Sequence, residues 1–329
     1  MTTLTTNTDR PRQGDFVKRL PGLVHTLGPA IILLALLILA TAMSDVFLST
    51  RNVFNVLRQS AGIGLMSVGM LFVILTRGID LSVGSVAALG SVIAAVWVQE
   101  YGTGIALGAA IAVGAGCGLL SGGLIAFLKL PPFVTTLAVM TIARGLALIA
   151  SNGQPIRMGA AGEMITEFGV GRLGMVPYPV ILMIAVFVAA GLVLKFTRFG
   201  RMVKAVGSNA EAVRLSGISI SRYQISVYVI SGALAALAGV VSTSRTGIGS
   251  ATISVGAELD AIAAVVIGGA SLLGGRGGAI NTFIGVVILG VIANLMNLAN
   301  VPGYHQQVFM GAIIIGAMLL QYGTSALKR

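Results

Sequence analysis

Long uncharged stretches alternate with short charged segments along most of this chain. A helix needs about 20 apolar residues to cross the hydrocarbon core of a membrane, with roughly 17–25 as the usual range. The pattern predicts two spans in 277–327, where Asn-Leu-Ala-Asn-Val-Pro-Gly at 297–303 supplies the break. One span each is predicted in 20–44, 59–76, 81–99, 101–128, 130–150, 173–194, 223–244 and 261–275. The predicted fold class is therefore all-α, a polytopic transmembrane helix bundle of about ten spans.

The positions of Lys and Arg predict how this bundle is oriented. An even number of spans places both termini on one side, and basic residues favour cytoplasmic segments. With both termini inside, 15 of the 21 basic residues are cytoplasmic and Arg144 lies within the membrane. The outside segments hold Arg51, Arg58, Arg157, Arg172 and Arg245. We expect an N-in, C-in topology, with tails at 1–22 and 324–329, a transmembrane domain over 23–323 and a cytoplasmic loop at 195–222.

Composition supports this interpretation and removes a competing one. Hydrophobic residues make up 56% of the chain and charged residues 9%, whereas a soluble domain carries about a quarter charged residues. Membrane lipid is therefore the expected surroundings. The net charge of +11 resembles that of a nucleic-acid-binding protein, but the preference for cytoplasmic basic residues explains it. No nucleic-acid partner is expected.

Motifs for independent chemistry are missing from the sequence. The dipeptide Gly-Lys does not occur, so there is no Walker A loop for binding ATP. His25 and His305 are the only histidines, and neither an H-E-x-x-H motif nor a Gly-x-Ser-x-Gly elbow is present. We therefore expect no catalytic residue, no metal site and no cofactor bound by this chain, which is not expected to be an enzyme.

Polar residues inside the predicted spans are candidates for a translocation path, because burying them in lipid is costly. Uncharged donors and acceptors suit a neutral polyhydroxylated solute. Hydrogen bonding between helices explains any single one about as well, and Arg144 could bind substrate or pair with an acid or carbonyl of a neighbouring helix. The candidates on the second, fifth and ninth predicted helices are Asn52, Asn55, Gln59, Thr135, Thr136, Arg144, Asn294 and Asn297.

Few acids occur within the predicted spans. Asp80 and Asp260 both precede apolar runs, where capping a helix N-terminus is the expected role. A proton- or sodium-coupled carrier usually needs an ionisable relay near the bilayer centre. The sequence therefore disfavours such a carrier.

The 195–222 loop is long enough for a short helix outside the lipid. Ser208 or Asn209 can cap this helix, and Glu211 then lies in its first turn, where the helix dipole favours a carboxylate. Gly217 suits the C′ position after the last turn. Apolar side chains that could seat on a partner protein are Ala212, Val213 and Leu215.

Several long motifs resemble those of ribose-type permeases of bacterial ABC importers. The segment Leu75-Thr-Arg-Gly-Ile-Asp-Leu-Ser-Val-Gly-Ser85 resembles the hallmark of this family. Further similar segments, in matching order, are Thr197–Arg201, Ala205–Ile218, Glu258–Gly269 and Ser271–Gly277. The likeness runs from about Phe54 to the C-terminus.

The resemblance implies a permease subunit in a bacterial inner membrane that works with several partners. These are cytoplasmic ATP-binding subunits, a periplasmic sugar-binding protein and a second permease copy. We expect a homodimer or a close heterodimer, with a pore between the two permeases. The family's coupling loop has Glu-Ala-Ala, three residues and then Gly, and Val213 replaces the second Ala here. The resemblance assigns Asn209, Glu211, Ala212, Arg214 and Gly217 to that loop, and gives a structural role to Gly78, Asp80, Ser82, Gly84 and Asp260.

Alternative functions stay open at the level of sequence. An importer permease of the same class could carry a nucleoside or a branched-chain amino acid instead of a sugar. An ion-coupled secondary carrier and a membrane-embedded enzyme are the rivals from other classes. The motifs do not identify which sugar is carried.

Overall fold

The computed structural model describes residues 14–326 and is helical along most of its length. The tail residues 1–13 and 327–329, with the basic residues counted there, lie outside the described part. The helices are α1 Gly14–Met43, α2 Thr50–Leu75, α3 Val83–Leu128, α4 Pro132–Ala150, α5 Glu163–Val170, α6 Tyr178–Phe196, α7 Arg198–Ser208, α8 Ala210–Leu215, α9 Ile220–Thr246, α10 Ala257–Ile267, α11 Ala279–Leu298 and α12 Gly303–Ala326. The two-residue strands are β1 Ile156–Arg157, β2 Arg172–Leu173, β3 Val176–Pro177 and β4 Ile248–Gly249.

The short strands, a 3₁₀ turn and α5 lie in the connections between the long helices. Strand β1 pairs antiparallel with β4, which ties the segment after α4 to the end of α9. Strands β2 and β3 form a hairpin directly before α6. A 3₁₀ turn at Gly159–Gly162 leads into α5, which packs against α9.

Six helices in the described part are long and apolar enough to cross a membrane: α2, α3, α4, α6, α9 and α11. The all-α membrane bundle is therefore confirmed, but this count does not confirm ten spans. The 46 residues of α3 cover the predicted spans 81–99 and 101–128 except for residues 81 and 82. At about 1.5 Å per residue they exceed twice the roughly 30 Å hydrocarbon thickness. Gly102 breaks α3 with a φ of 78° and a ψ of 170°, which permits a reversal of direction that a helical residue would not.

The predicted span at 261–275 is wrong as a full crossing. It corresponds to α10, which has 11 residues and ends at Ile267, before a turn-rich segment. A helix of this length covers about 16 Å, roughly half of the hydrocarbon thickness. A run of apolar residues alone does not show where its helix ends, and the glycines from Gly268 onward end this one.

The core lies where α2, α3 and α9 pack together. The glycine series from Gly114 to Gly122 on α3 faces α9, and a Cβ added at Gly118 would lie 2.1 Å from the carbonyl oxygen of Tyr228. Glycines spaced four residues apart let helix backbones approach closely, and α3 and α9 do so here. Tyr228 of α9 also lies next to Gly78, in the Leu75–Ser85 motif that follows α2.

The two ends of helix α2 have different neighbours. Arg51 and Arg58 lie near its first turns, and Arg172 lines the same cavity as both. Arg77 follows its last turn and contacts Gly207. Segments predicted to be outside thus lie together at one end, and segments predicted to be inside lie together at the other. Which end faces the cytoplasm stays a prediction.

Candidate translocation and coupling sites

A cleft of about 520 Å³ lies between α2, α10, α11 and α12. Its volume is within the roughly 300–1,000 Å³ range of sites that bind small molecules. Apolar side chains such as Ile63, Leu289 and Met310 form much of its wall. The polar side chains that line the cleft are Gln59, Ser60, Asp260, Asn294, Gln306 and Gln307.

The cleft brings together only part of the predicted translocation path. Gln59 and Asn294 line it, from α2 and α11. Asp260, which the sequence suggested as a helix cap, also lines it. Ser60, Gln306 and Gln307 were missed, because a serine beside Gln59 and two glutamines after a predicted loop gave no signal on their own.

Asn52 and Asn294 bind each other across α2 and α11. Asn52 Nδ2 donates to Asn294 Oδ1 at 2.9 Å, and Asn294 Nδ2 donates to Asn52 Oδ1 at 3.0 Å. Asn52 Nδ2 also donates to the carbonyl oxygen of Phe47 at 3.0 Å. This reciprocal amide pair favours the structural role that was the alternative for both residues, although Asn294 also faces the cleft.

Two further candidates, Asn55 and Asn297, do not line the cleft themselves. The Oδ1 atom of Asn55 accepts a hydrogen bond from Arg58 Nη2 at 3.2 Å. Exposed Asn297 accepts one from Gln306 Nε2 at 2.9 Å, which ties the end of α11 to the start of α12. Gln59 differs from both, because it is exposed along the cleft.

The candidates on α4 lie apart from this cleft, because α4 packs mainly on α3. Thr135 bonds within its own helix, to the carbonyl oxygen of Pro131 at 3.0 Å. Thr136 Oγ1 accepts from the backbone N–H of Leu81 at 3.2 Å, which ties α4 to the loop after α2. Arg144 donates from Nη1 to the carbonyl oxygens of Ala251 and, at 3.0 Å, Ile253. Of its two proposed roles, the structure therefore shows carbonyl pairing.

The motif after α2 forms a buried polar cluster. The Oδ1 atom of Asp80 accepts from the backbone N–H of Ser82 at 3.0 Å and from its hydroxyl at 2.6 Å, while Oδ2 accepts from Ser231 Oγ at 2.7 Å. The capping role expected for Asp80 is wrong, because the N-cap of α3 is Ser82 and Asp80 bonds to the N–H of that residue rather than to the free N–H groups of the helix. A Cβ at Gly78 would lie 2.4 Å from the Tyr228 hydroxyl, and one at Gly84 would lie 2.3 Å from Glu258 Oε2.

The capping role expected for Asp260 is wrong. Helix α10 begins at Ala257, its N-cap is Gly256, and no side chain bonds to the free N–H groups there. Asp260 lies within the first turn instead, half-buried along the cleft. The N-cap position moved because Gly256 adopts a left-handed φ of 84° that ends the preceding turn.

A short helix forms in the predicted coupling loop. The Asn209 side chain caps α8 by accepting a hydrogen bond from the Ala212 N–H at 3.0 Å. Of the two predicted caps, Ser208 and Asn209, the structure therefore has Asn209. At the other end, Gly217 has a φ of 75° and its N–H donates to Arg214 O, while Ile218 N–H donates to Val213 O. These are the two bonds of a Schellman motif, which satisfies the last carbonyls of a helix.

The side chains that α8 exposes are not all those predicted to contact a partner protein. Glu211 and Arg214 form an ion pair of 2.5 Å on the exposed face of the helix. A hydrogen bond from Arg214 lowers the pKa of the Glu211 carboxyl, and the same bond raises the pKa of the Arg214 guanidinium. Val213 is buried, so it does not contribute to a docking surface, whereas Leu215 is 74% exposed.

A second cavity of about 400 Å³ lies at the N-terminal end of α2, the end away from Arg77 and α8. Arg51, Arg58 and Arg172 line it together with Asn52 and Asn55. Two of the path candidates therefore face this basic cavity rather than the cleft. Sequence reasoning treated the three arginines only as topology signals, and the β2–β3 hairpin that brings Arg172 to the start of α2 was not foreseen.

Comparisons with known proteins give consistent matches over most of the chain. The family described as branched-chain amino acid transport system / permease component matches residues 52–318. The ribose import permease protein RbsC of Escherichia coli is 42% identical over 293 residues, covering 88% of this chain and 91% of that protein. RbsC of Bacillus subtilis is 42% identical over 306 residues, covering 93% and 95%. The L-arabinose ABC transporter permease protein AraH of Azospirillum brasilense is 36% identical over 292 residues, covering 88% and 86%. No solved structure matches.

Proposed function

This chain belongs to the family described as branched-chain amino acid transport system / permease component, and we propose that it is the membrane-spanning permease of an ATP-driven sugar importer. The observation that carries the proposal is the 42% identity to ribose import permeases over nearly the whole chain. The relatives named above carry ribose or L-arabinose in their names. Both sugars are neutral pentoses, so we propose a pentose or a related monosaccharide as cargo, rather than a nucleoside or a branched-chain amino acid.

The cleft is the part of the chain best suited to such a cargo. Its amide and hydroxyl side chains both donate and accept hydrogen bonds, and the Asp260 carboxylate accepts them from sugar hydroxyls. Leu259 on α10 is 52% exposed and also lines the cleft. We propose that a second permease copy covers this side, so that the cleft becomes part of a path between the two copies.

The α7–α8 segment is proposed as the contact with a cytoplasmic ATP-binding subunit. Its helix is capped at both ends, which holds a short element in place without lipid around it. Leu215 offers an exposed apolar side chain, and the Glu211–Arg214 pair lies on the exposed face as well. The opposite end of α2, with its three-arginine cavity, would then face the periplasmic sugar-binding protein.

Reconstitution of the chain with its ATP-binding subunit and binding protein tests this proposal. We expect proteoliposomes to accumulate a pentose only when ATP is supplied on the α8 side, and the chain alone to hydrolyse no ATP. Gly217→Val should keep the complex assembled but reduce uptake, because a β-branched residue at a φ of 75° strains the end of α8. Uptake that persists without ATP and follows an ion gradient would contradict the proposal.

A further inference from the structure

Arg77 lies in the turn after α2 and bonds to two segments that are distant in sequence. Its Nε donates to the carbonyl oxygens of Gly207, at 2.6 Å, and Leu273, at 2.8 Å. Its Nη2 donates to the carbonyl oxygen of Ser208 at 2.9 Å. The backbone of Arg77 has a φ of 65°, a left-handed conformation that non-glycine residues rarely adopt unless their surroundings hold them there. We name Arg77, Gly207, Ser208 and Leu273–Gly275 the junction.

The guanidinium of Arg77 satisfies the end of α7. Gly207 and Ser208 are the last two residues of that helix, and the carbonyls of a last turn have no partner in their own helix. A cation beside a helix C-terminus is also favoured by the helix dipole. The planar guanidinium has five N–H donors in a fixed fork. It can therefore hold three carbonyl oxygens of two segments at once, which a lysine ammonium on a flexible stem does not reproduce.

Backbone contacts fix the same three segments against each other. The carbonyl oxygen of Leu75, the last residue of α2, accepts from the N–H of Gly275 at 3.0 Å. A Cβ added at Gly207 would lie 1.7 Å from that same oxygen and 2.7 Å from the Gly275 nitrogen. No side chain therefore fits between α2, α7 and the 271–277 loop at this point. Tightly packed segments of this kind transmit displacement instead of absorbing it.

The junction connects α8 to two of the four helices that wall the cleft. Ser208 is followed directly by Asn209, the N-cap of α8. Helix α2, which leads into Arg77, contributes Gln59 and Ser60 to the cleft. Helix α10, which precedes the 271–277 loop, contributes Leu259 and Asp260. A displacement of α8 would therefore act on both α2 and α10 through a single set of contacts.

We propose that Arg77 is a positioning residue that makes the end of α7, the end of α2 and the 271–277 loop move as one body. Movement of an ATP-binding subunit against α8 is then converted into movement of the helices that form the cleft. This rests on the proposed function, in which α8 contacts that subunit. In this role Arg77 touches neither sugar nor ATP, and it determines how much sugar moves for each ATP hydrolysed.

The test compares Arg77→Lys and Arg77→Gln with wild type in the fully assembled, reconstituted importer. Complex yield, ATP hydrolysis with and without loaded binding protein, and sugar transported per ATP are measured together. We expect both variants to assemble and to hydrolyse ATP within about twofold of wild type. Sugar transported per ATP should fall at least about fivefold, with Arg77→Lys no better than half-restored, because charge without the fork does not hold the three carbonyls.

Arg276→Gln is the matched control. Arg276 is exposed in the same loop, and within residues 14–326 its side chain makes no hydrogen bond or ion pair, so this variant removes one positive charge from the same surface without opening the junction. It should keep the wild-type ratio of sugar to ATP. In Arg77→Gly, added guanidinium ions at low concentration should partly restore the ratio, while sodium ions should not.

Three outcomes would overturn the proposal. One is an unchanged ratio of sugar to ATP in Arg77→Gln, and another is an equal fall in Arg276→Gln. The third is loss of assembly in both Arg77 variants, because the residue would then be needed for folding rather than for coupled movement. Failure of the wild-type complex to transport any sugar with ATP would instead reject the proposed function and is observed before any variant is made.

Discussion

The junction and the cleft are two polar regions that share helix α2 but are built in opposite ways. In the junction, Arg77 is bonded to three carbonyl oxygens and glycines bring the backbones into contact. In the cleft, Gln59 is exposed and Asp260 is half-buried beside an open volume of about 520 Å³. Hydrogen bonds that join several segments, together with close backbone packing, make a region rigid, whereas donors and acceptors beside open space can bind a solute. In the proposed function, α2 would therefore carry force at its junction end and contact cargo along the cleft.

The largest effect is expected from Gly207→Ala, which attacks the rigid region. The new Cβ would lie 1.7 Å from the Leu75 oxygen, so the backbones must separate, at a cost of about 1–3 kcal/mol or more. The measurement is the thermal unfolding midpoint of the purified chain in detergent. Gly278→Ala is the control, because that residue has an extended φ of −159° and a Cβ there meets nothing within 4 Å. Equal midpoints for both variants would show that the junction is not tightly packed.

Breaking the amide pair between Asn52 and Asn294 should have the next largest effect. Asn294→Leu removes both hydrogen bonds between the two side chains, while half-buried Asn52 keeps its bond to the Phe47 carbonyl oxygen, so a loss of about 1 kcal/mol is expected. In the double variant Asn52→Leu/Asn294→Leu the loss should be smaller than the sum of the single losses by roughly 0.6–1.7 kcal/mol. Chemical denaturation in a double-mutant cycle measures this difference. Strictly additive losses would mean that the two amides do not stabilise each other.

Gln59→Leu tests the open region. Loss of one hydrogen bond to cargo is worth about 0.5–1.5 kcal/mol, so sugar flux should fall by up to about tenfold. The unfolding midpoint should not change, because Gln59 is exposed within the chain. Thr141→Leu is the control, since exposed Thr141 on α4 bonds to the Leu137 carbonyl oxygen of its own helix and lines neither cavity, and it should keep flux within about twofold. Equal losses in both variants would show that the cleft is not part of the path.

The smallest effect is expected from Leu215→Ser on α8. Burying part of a leucine against a partner is worth about 1 kcal/mol, so affinity for the ATP-binding subunit should fall about fivefold. Binding of that subunit to detergent-solubilised permease measures the change. Leu128→Ser is the matched control, because Leu128 is 64% exposed at the end of α3, outside the coupling segment. A similar loss in both would show that α8 is not the contact.

Several features of the fold could be predicted from the sequence. Apolar runs between charges predicted helices at the positions of α2, α4, α6, α9 and α11, because lipid-spanning helices must satisfy their own backbone groups. The break at 297–303 lies where α11 ends and α12 begins. The cap at Asn209 and the left-handed Gly217 followed from local rules that involve residues within one turn.

The candidate site was predicted less well, because it depends on partners far apart in sequence. Polarity identified Asn52 and Asn294, but not that they bond to each other across 242 residues. Thr136 and Arg144 share a predicted helix and were both path candidates, yet α4 packs on α3 and away from the cleft. Buried Val213 looked available because the sequence of α8 does not show what covers it.

The sequence by itself determined the class of environment, the helical pattern, the family and the local caps, since each depends on composition or on neighbours a few positions apart. Only the tertiary structure decided which polar groups are satisfied and which remain open to a solute. It also brought Arg77 into contact with carbonyls 130 and 196 residues away. Contacts of this kind are set by how helices pack in three dimensions. The periodicity of apolar residues and the sign of the charges along the sequence do not show which distant residues will pair.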